Sequence, residues 1–391
     1  MAPHRLTIVL GTRPEAVKMA PVIAGFRADP EAFQVRVLST GQHRDMLGPI
    51  LASFGIEPDH DLAVMRPGQT LADMTAAMVQ AMVEELQAHR PDLLLVQGDT
   101  TSVFSATLAA FYARVPVGHV EAGLRSHDLD NPFPEEANRR LVSVLADIHF
   151  APTESAAREL RAENIPAEQI VVTGNTVVDA LRHMAAQTET LQTDLDAFLA
   201  DRRMILVTSH RRESWGPGLE RICRAVAAIL DEHPDTAAVI PVHANPVVRQ
   251  IVESVLGGNE RVLLLPPVPY LEFVGLMHRA ELILTDSGGV QEEAPSFGVP
   301  VLVLRSVTER PEAVVCGQAR LVGTDPGVIA RAAEDILSGS ESSQAMRRTG
   351  NPFGDGRAAE RIVLASKRFL RGEGLLLSSS ESFAGSCPGE D

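Results

Sequence analysis

Three carboxylates, a histidine and several cationic side chains stand where short apolar runs give way to turns, a set able to move protons beside a bound anion. Asp99 lies in Gln97-Gly98-Asp99-Thr100, and Glu121 in His119-Val120-Glu121-Ala122-Gly123-Leu124-Arg125-Ser126; each follows an apolar run directly. Glu135 lies in Pro132-Phe133-Pro134-Glu135-Glu136-Ala137-Asn138-Arg139-Arg140, where it and Glu136 have two readings, ligand carboxylates or caps of the helix they enter. His210, in Ser209-His210-Arg211-Arg212-Glu213-Ser214-Trp215-Gly216, has cations beside it that hold an imidazole near neutral at physiological pH, where it accepts or donates a proton. His243, in Pro241-Val242-His243-Ala244-Asn245-Pro246, is a weaker candidate whose alternative is a bridge between backbone groups.

The cations point to an anion. Gly11-Thr12-Arg13-Pro14-Glu15-Ala16-Val17-Lys18 opens a helix after the first strand, and backbone N–H groups and the positive helix end collect there. Arg13 can fork onto two oxygens while Lys18 adds a point charge; solvated surface charges are the alternative. Asp286-Ser287-Gly288-Gly289-Val290-Gln291-Glu292-Glu293 is a second turn of this kind, whose glycines admit a phosphate and whose Glu293 can accept from ribose hydroxyls. A nucleotide is the ligand this suggests, against a Gly-Gly turn that merely satisfies backbone geometry. Thr308-Glu309-Arg310-Pro311-Glu312-Ala313 brings a further arginine to a third strand end.

Strands alternating with longer helical patterns must carry these turns. Leu6–Leu10, Val35–Leu38, Leu93–Val96 and Val115–Val120 form one series, and Met204–Thr208, Ala237–Pro241, Val262–Leu265, Leu282–Thr285 and Val301–Leu304 a second. The pattern predicts an α/β chain of βαβ units built twice, with ligands at the carboxyl edges of parallel strands. The expected domains are residues 1–175, with a helix at about 358–371 packing back on them, and residues 176–357, joined by a crossover at about 174–200. The Ser-, Gly- and Glu-rich residues 372–391 are expected to be disordered.

Composition narrows the classes. The 391 residues carry a net charge of −16, which opposes phosphate backbones and anionic lipid, and 4% aromatics leave few stacking platforms for single strands. No apolar run approaches the ~20 residues of a membrane span, and the N-terminus lacks a signal peptide's core, so a cytoplasmic protein without membrane or nucleic-acid partners is expected. Cys223, Cys316 and Cys387 are far apart and lack CxxC spacing, so neither a disulfide framework nor a zinc knot is expected. GxGxxG after the first strand, GxxxxGK[ST] and HExxH are all missing. Only Lys18 and Lys367 are lysines, against 33 arginines, which singles out position 18.

Taken in order, GTRPEAVKMAP, TGQH (Thr40–His43), QGDT, HVEAGLRS, PFPEEANRR, SHRRESWG, HANP, DSGGVQEEAP and TERPEA resemble the bacterial non-hydrolysing UDP-N-acetylglucosamine 2-epimerases from about residue 5 to 370. The resemblance implies two Rossmann-like domains facing across a cleft, as in glycosyltransferases of the B type, with UDP held mainly by the second. It implies interconversion of UDP-GlcNAc and UDP-ManNAc through loss and return of UDP and the C2 proton, with 2-acetamidoglucal between, no metal or nicotinamide cofactor, and a homodimer. By position, Asp99, Glu121 and Glu135 match the catalytic carboxylates and His210 the UDP-side histidine. Glu121 or Asp99 would handle the C2 proton, Glu135 supporting or serving the opposite face. His210, Arg13 and Arg310 would stabilise the diphosphate, Ser287, Gly288 and Gly289 cradle it, Glu293 hold the ribose and Phe273 border the uracil, and Lys18 occupies the motif's lysine position. A second, regulatory UDP-GlcNAc site would use Gln42, His43, Arg66, Glu135, Arg211 and His243. Ser209 stands where many relatives carry Gly or Thr, and Asp45 where some carry Gln or Glu. The competing readings are a hydrolysing epimerase releasing ManNAc, a UDP-sugar glycosyltransferase and a non-catalytic sugar-nucleotide sensor.

Overall fold

Strands buried on both faces read as continuous apolar runs, and they pair in parallel because helices cover both sides of the sheet. The computed structural model describes residues 2–41, 44–66, 68–185, 193–209, 216–243, 245–308, 310–347 and 350–385. It contains a seven-stranded sheet of β1 (His4–Leu10), β2 (Phe33–Ser39), β3 (His60–Asp61), β4 (Leu93–Gln97), β5 (Val117–Val120), β6 (Ile148–Ala151) and β7 (Ile170–Val172), ordered 3-2-1-4-5-6-7. A six-stranded sheet follows, of β8 (Arg203–Thr208), β9 (Thr236–Pro241), β10 (Val262–Leu265), β11 (Leu282–Thr285), β12 (Val301–Val303) and β13 (Ala319–Leu321), ordered 10-9-8-11-12-13. Each observed pairing is parallel. Both sheets therefore have the doubly wound Rossmann order, which reverses at β1/β4 in one and at β8/β11 in the other. Loops leaving these central strands part to opposite sides and open a crevice at the carboxyl edge.

Each sheet has its own core. In the first, Leu94, Val96, Val103, Ala106 and Val117 pack together without exposure above a few per cent, and in the second Ile205, Val226, Ile229, Leu284 and Ile336 do the same. Fully burying each large aliphatic side chain stabilises by about 1.5–3 kcal/mol, so both sheets hold their strand ends in place. Helices that start at the crevice edge are set by local sequence: Thr100 caps its helix by accepting from Val103 N, and Pro14 occupies the first turn of Arg13–Arg27.

The chain divides into one unit of Met1–Ala180 with Phe353–Gly385 and a second that includes Leu181–Pro352, so the sequence-based limits at 175 and 357 are each shifted slightly. Helix Ala358–Leu370 packs on Arg13–Arg27 in the first unit, where Lys367 pairs with Asp29 at 2.6 Å. Three findings differ from expectation. Residues 372–385 are ordered against the first unit, with Leu376, Leu377 and Phe383 buried, because three apolar side chains offset the polar composition that suggested disorder. Cys316 is disulfide-bonded, although wide spacing suggested no bridge; spacing in sequence does not limit distance in a fold. Strands β3, β6, β7 and β13 went unpredicted, being two to four residues long and, in β6, carrying His149. No described helix is long and apolar enough to cross a membrane.

Candidate active site

The carboxyl edge of the first sheet brings together residues from four loops. After β5 the chain turns at Glu121 with φ +64°, a left-handed conformation costly for a residue with a side chain. This turn aims the Glu121 carboxylate back at the switch point. Lys18, from helix Arg13–Arg27, forms an ion pair with Glu121 Oε1, and Gln97, the last residue of β4, donates to Oε2. Asn175 Nδ2, beyond β7, lies 3.3 Å from Oε1. The Lys18 and Glu121 side chains keep only 12% and 8% of their exposure, so their charges interact with little screening.

Asp99 follows β4 and is held differently. Arg139 Nη2 donates to its Oδ2 at 2.6 Å and Asn138 Nδ2 to its backbone carbonyl at 3.0 Å, both from helix Glu135–Leu145. Glu135 opens that helix, half-buried. Its neighbour Glu136 is fully buried, accepts from Ser126 N at 3.0 Å and pairs with Arg139 at 3.3 Å; of the two carboxylates, Glu136 has the structural place. His119 supports the same turn from beneath, its Nε2–H donating to the Gly98 carbonyl at 2.7 Å. Burial drives the His119 pKa down to about 3, so the ring is neutral.

Glu15 closes the crevice floor. It accepts from Gly11 N (2.7 Å), Thr12 Oγ1 (2.8 Å) and Thr100 Oγ1 (3.0 Å), joining the turn after β1 to the turn after β4. Burial pushes its carboxyl up to about 7, against the lowering effect of those bonds. Arg13 stands half-buried at the first position of the same helix.

At the second sheet's edge the groups are hydroxyls, amides, a guanidinium and the buried carboxylates of Asp286, Glu292 and Glu293. Ser209 Oγ donates to Asp286 Oδ2 at 2.9 Å, and Ser287 N donates to Thr285 Oγ1 at 3.0 Å. Arg310 Nε pairs with buried Glu292 at 2.7 Å, which lays the guanidinium over Gly288 so closely that a Cβ there would come within 2.7 Å of it. Thr308 Oγ1 donates to Gln291 Oε1 at 2.6 Å and Gln291 Nε2 to Ser287 O at 3.1 Å, tying the turn after β12 to the one after β11. Tyr270 OH donates to Glu293 Oε1 at 3.0 Å, and Phe273, one turn along helix Tyr270–Arg279, is half-buried. Gly289 stands beside Glu293, whose Oε1 would lie 3.5 Å from a Cβ at that position.

A sequence model described as UDP-N-acetylglucosamine 2-epimerase matches residues 26–367. The UDP-N-acetylglucosamine 2-epimerase of Salmonella typhimurium is 50% identical over 372 residues, covering 93% of this chain and 99% of its own. The chain belongs to the UDP-N-acetylglucosamine 2-epimerase family. Two solved 2-epimerases share its architecture: that of Neisseria meningitidis bound to UDP-GlcNAc (43% identity, TM-score 0.85, 92% of this chain and 98% of that one) and that of Methanocaldococcus jannaschii with UDP-GlcNAc and UDP (33%, 0.77, 94% and 99%). As a family member the chain is a 2-epimerase acting on UDP-GlcNAc.

Of the residues singled out in the sequence, Lys18 and Glu121 are in direct contact, and Asp99 lies on the adjoining loop. Ser287, Gly288, Gly289, Glu293 and Arg310 gather at the second edge. His210, Arg211, Gln42 and His43 lie outside the described residues. Arg66 is exposed beyond β3, its N–H donating to Gln69 at 2.6 Å, while His243 follows β9 and accepts from Asn245 N through Nδ1 at 3.1 Å. Gln97, Arg139, Asn175 and Glu15 were missed as site residues. Gln97 was visible as a polar end to an apolar strand; Asn175 was read as part of the domain crossover.

Proposed function

We propose that the chain interconverts UDP-GlcNAc and UDP-ManNAc without hydrolysis, by elimination of UDP to 2-acetamidoglucal and its re-addition with C2 inverted. The observation that supports this best is the Glu121 carboxylate, clamped by Lys18 and Gln97 on a left-handed turn at a Rossmann switch point. Such fixing suits a base that must meet one C–H bond. The C2 hydrogen is weakly acidic, so departure of UDP must build positive charge on the sugar while cations stabilise the diphosphate. In this reading Glu121 or Asp99 takes the C2 proton, and Glu135 supports it or returns a proton from the opposite face. Arg310, Arg13 and His210 stabilise the diphosphate, Ser287, Gly288 and Gly289 cradle it, Glu293 accepts from the ribose and Phe273 borders the base. The reaction requires the carboxylate set and the diphosphate set to engage one substrate molecule. Support for the ligand comes from the two solved relatives, named as complexes with UDP-GlcNAc or with UDP-GlcNAc and UDP.

The reading also includes a cytoplasmic homodimer and an activating UDP-GlcNAc site at Gln42, His43, Arg66, Arg211 and His243. The dimer is supported by an exposed apolar face on the first unit, where Phe111, Tyr112, Leu141 and Val144 are 55%, 64%, 49% and 76% exposed on two packed helices. Incubation with UDP-GlcNAc in deuterated water tests the chemistry. UDP-ManNAc carrying deuterium at C2 is expected; free ManNAc as the accumulating product would establish the hydrolysing reaction instead, and product without C2 exchange would reject the elimination.

A further inference from the structure

The segment after helix Ala358–Leu370 lies beyond residue 367, where the matched sequence model ends, and it is built into the first unit. Arg368 forks onto Glu381, with Nη1–Oε2 and Nη2–Oε1 at 2.8 and 2.9 Å, and donates to Leu376 O at 3.0 Å. Glu381 also accepts from Ser378 N and Ser378 Oγ, both at 2.8 Å. This folded end delivers Phe383 to the edge of the sheet, where its N–H donates to Val172 O at 2.9 Å. The ring is 8% exposed and packs with Ala122, Ala151, Ala156, Ala157, Leu160 and Val172.

Two features join that ring to the site. Ala122, which follows Glu121 directly, belongs to the same buried cluster as Phe383. Gly174, at φ +87°, is so close that a Cβ there would meet Phe383 Cγ at 3.6 Å, and the next residue is Asn175, whose amide faces Glu121 Oε1 at 3.3 Å. Arg361 braces the same turn: it donates to Thr173 O at 3.1 Å and to Glu381 O at 2.7 Å, and sits 5.8 Å from the Phe383 ring centre. Asn175 is fixed at its other atoms as well, its N–H donating to Phe353 O at 2.7 Å and its Oδ1 accepting from Val177 N at 3.0 Å.

We propose that residues 376–383 are a positioning strap for the Glu121 carboxylate, with Phe383 holding the Ala122 and Gly174–Asn175 backbone so that the Asn175 amide meets Glu121. This rests on the reading of Glu121 as the base at C2. Phe383 touches no substrate and acts through Asn175 and the turn; it is a positioning residue. A displacement on the order of 1 Å at a reacting group costs up to ~10²-fold in rate, so loss of the ring should slow chemistry with little effect on nucleotide binding, which the second unit provides.

Full-length Phe383→Ala, Phe383→Leu, Asn175→Ser and the double variant Phe383→Ala/Asn175→Ser, assayed beside Glu121→Gln, test the strap. Ser retains an oxygen able to cap Val177 N, so helix Thr176–Ala185 keeps its start. Phe383→Ala should lower kcat and C2 deuterium exchange about tenfold with KM and UDP affinity within about twofold, and Phe383→Leu should recover most of the loss. The double variant should be about as slow as the slower single one, since both act through one contact. Parental kcat in Phe383→Ala, or losses that multiply in the double variant, would overturn the strap while an inactive Glu121→Gln leaves the base assignment intact. Parental turnover in Glu121→Gln would remove the base assignment and the strap together.

Discussion

Two edges of the same topology carry different chemistry. At β1/β4 the first unit sets the largely buried Glu121 carboxylate against a lysine and the partly exposed Asp99 against an arginine, whereas at β8/β11 the second offers hydroxyls, glycines and a guanidinium, its buried carboxylates Asp286, Glu293 and Glu292 being engaged by Ser209, Tyr270 and Arg310. Strand order supplies the crevice in each case, and the side chains decide whether it is suited to moving a proton or to holding a diphosphate. The difference is visible in how each set is fixed. Glu121 is held by side chains from a helix, a strand end and a loop, so its position depends on the whole edge. Arg310 is held within its own neighbourhood, by Glu292 and by Thr308, whose Oγ1 accepts from Arg310 N at 3.1 Å.

Breaking one edge at a time should therefore separate turnover from binding. Glu121→Gln keeps the shape and removes the proposed base; kcat should fall by about 10³-fold or more while UDP affinity, followed by calorimetry, changes less than about twofold. Equal losses in both quantities would merge the two edges into one function. Arg310→Ala acts on the other side of the comparison. It removes the proposed charge-assisted contact to the diphosphate and the Glu292 ion pair, so UDP binding should weaken by about 2 kcal/mol, roughly 30-fold. Gly288→Ala sharpens the point with a smaller change. A methyl 2.7 Å from the Arg310 guanidinium must push it aside, at a cost of about 1 kcal/mol, and UDP titration should show a loss of roughly fivefold with kcat at saturation nearly preserved.

The sequence was most legible where local pattern and chemistry coincide. Leu93–Gln97, Leu282–Thr285 and their neighbours are apolar runs ended by turn residues, which locates both strand and site. Glu121 could be singled out because it follows such a run. Its pairings could not, since Lys18, Gln97 and Asn175 meet it only through tertiary folding, across 103, 24 and 54 positions of chain. Composition misled at residues 372–385, because disorder is read from an average while Phe383 and two leucines supply enough local burial to fix the segment. The pair Glu135-Glu136 shows the same limit: helix phase turns one inward and leaves the other half-exposed, and adjacent identical residues carry no sign of which.

The smallest effect on turnover, and the most specific mark of the first edge, is expected in its pH response. His119 has its pKa lowered to about 3, so the folded chain binds fewer protons there than the unfolded chain, and stability is lost as pH falls from about 6.5 toward 3. Glu15 has its pKa raised to about 7 from 4.5, so the folded chain binds more protons and acidification from about 7 to 4.5 adds stability. The two contributions oppose each other beneath one active edge. His119→Gln keeps a donor for the Gly98 carbonyl and removes the titration; relative to the parent it should be spared about 2 kcal/mol of the loss between pH 6.5 and 5, read from urea midpoints, with turnover at neutral pH within about twofold. Glu15→Gln should shift the same comparison in the opposite sense, forfeiting the gain that acidification gives the parent. Parallel pH curves for parent and both variants would mean that neither buried group changes its proton binding on folding, and the contrast between the two edges would then rest on geometry alone.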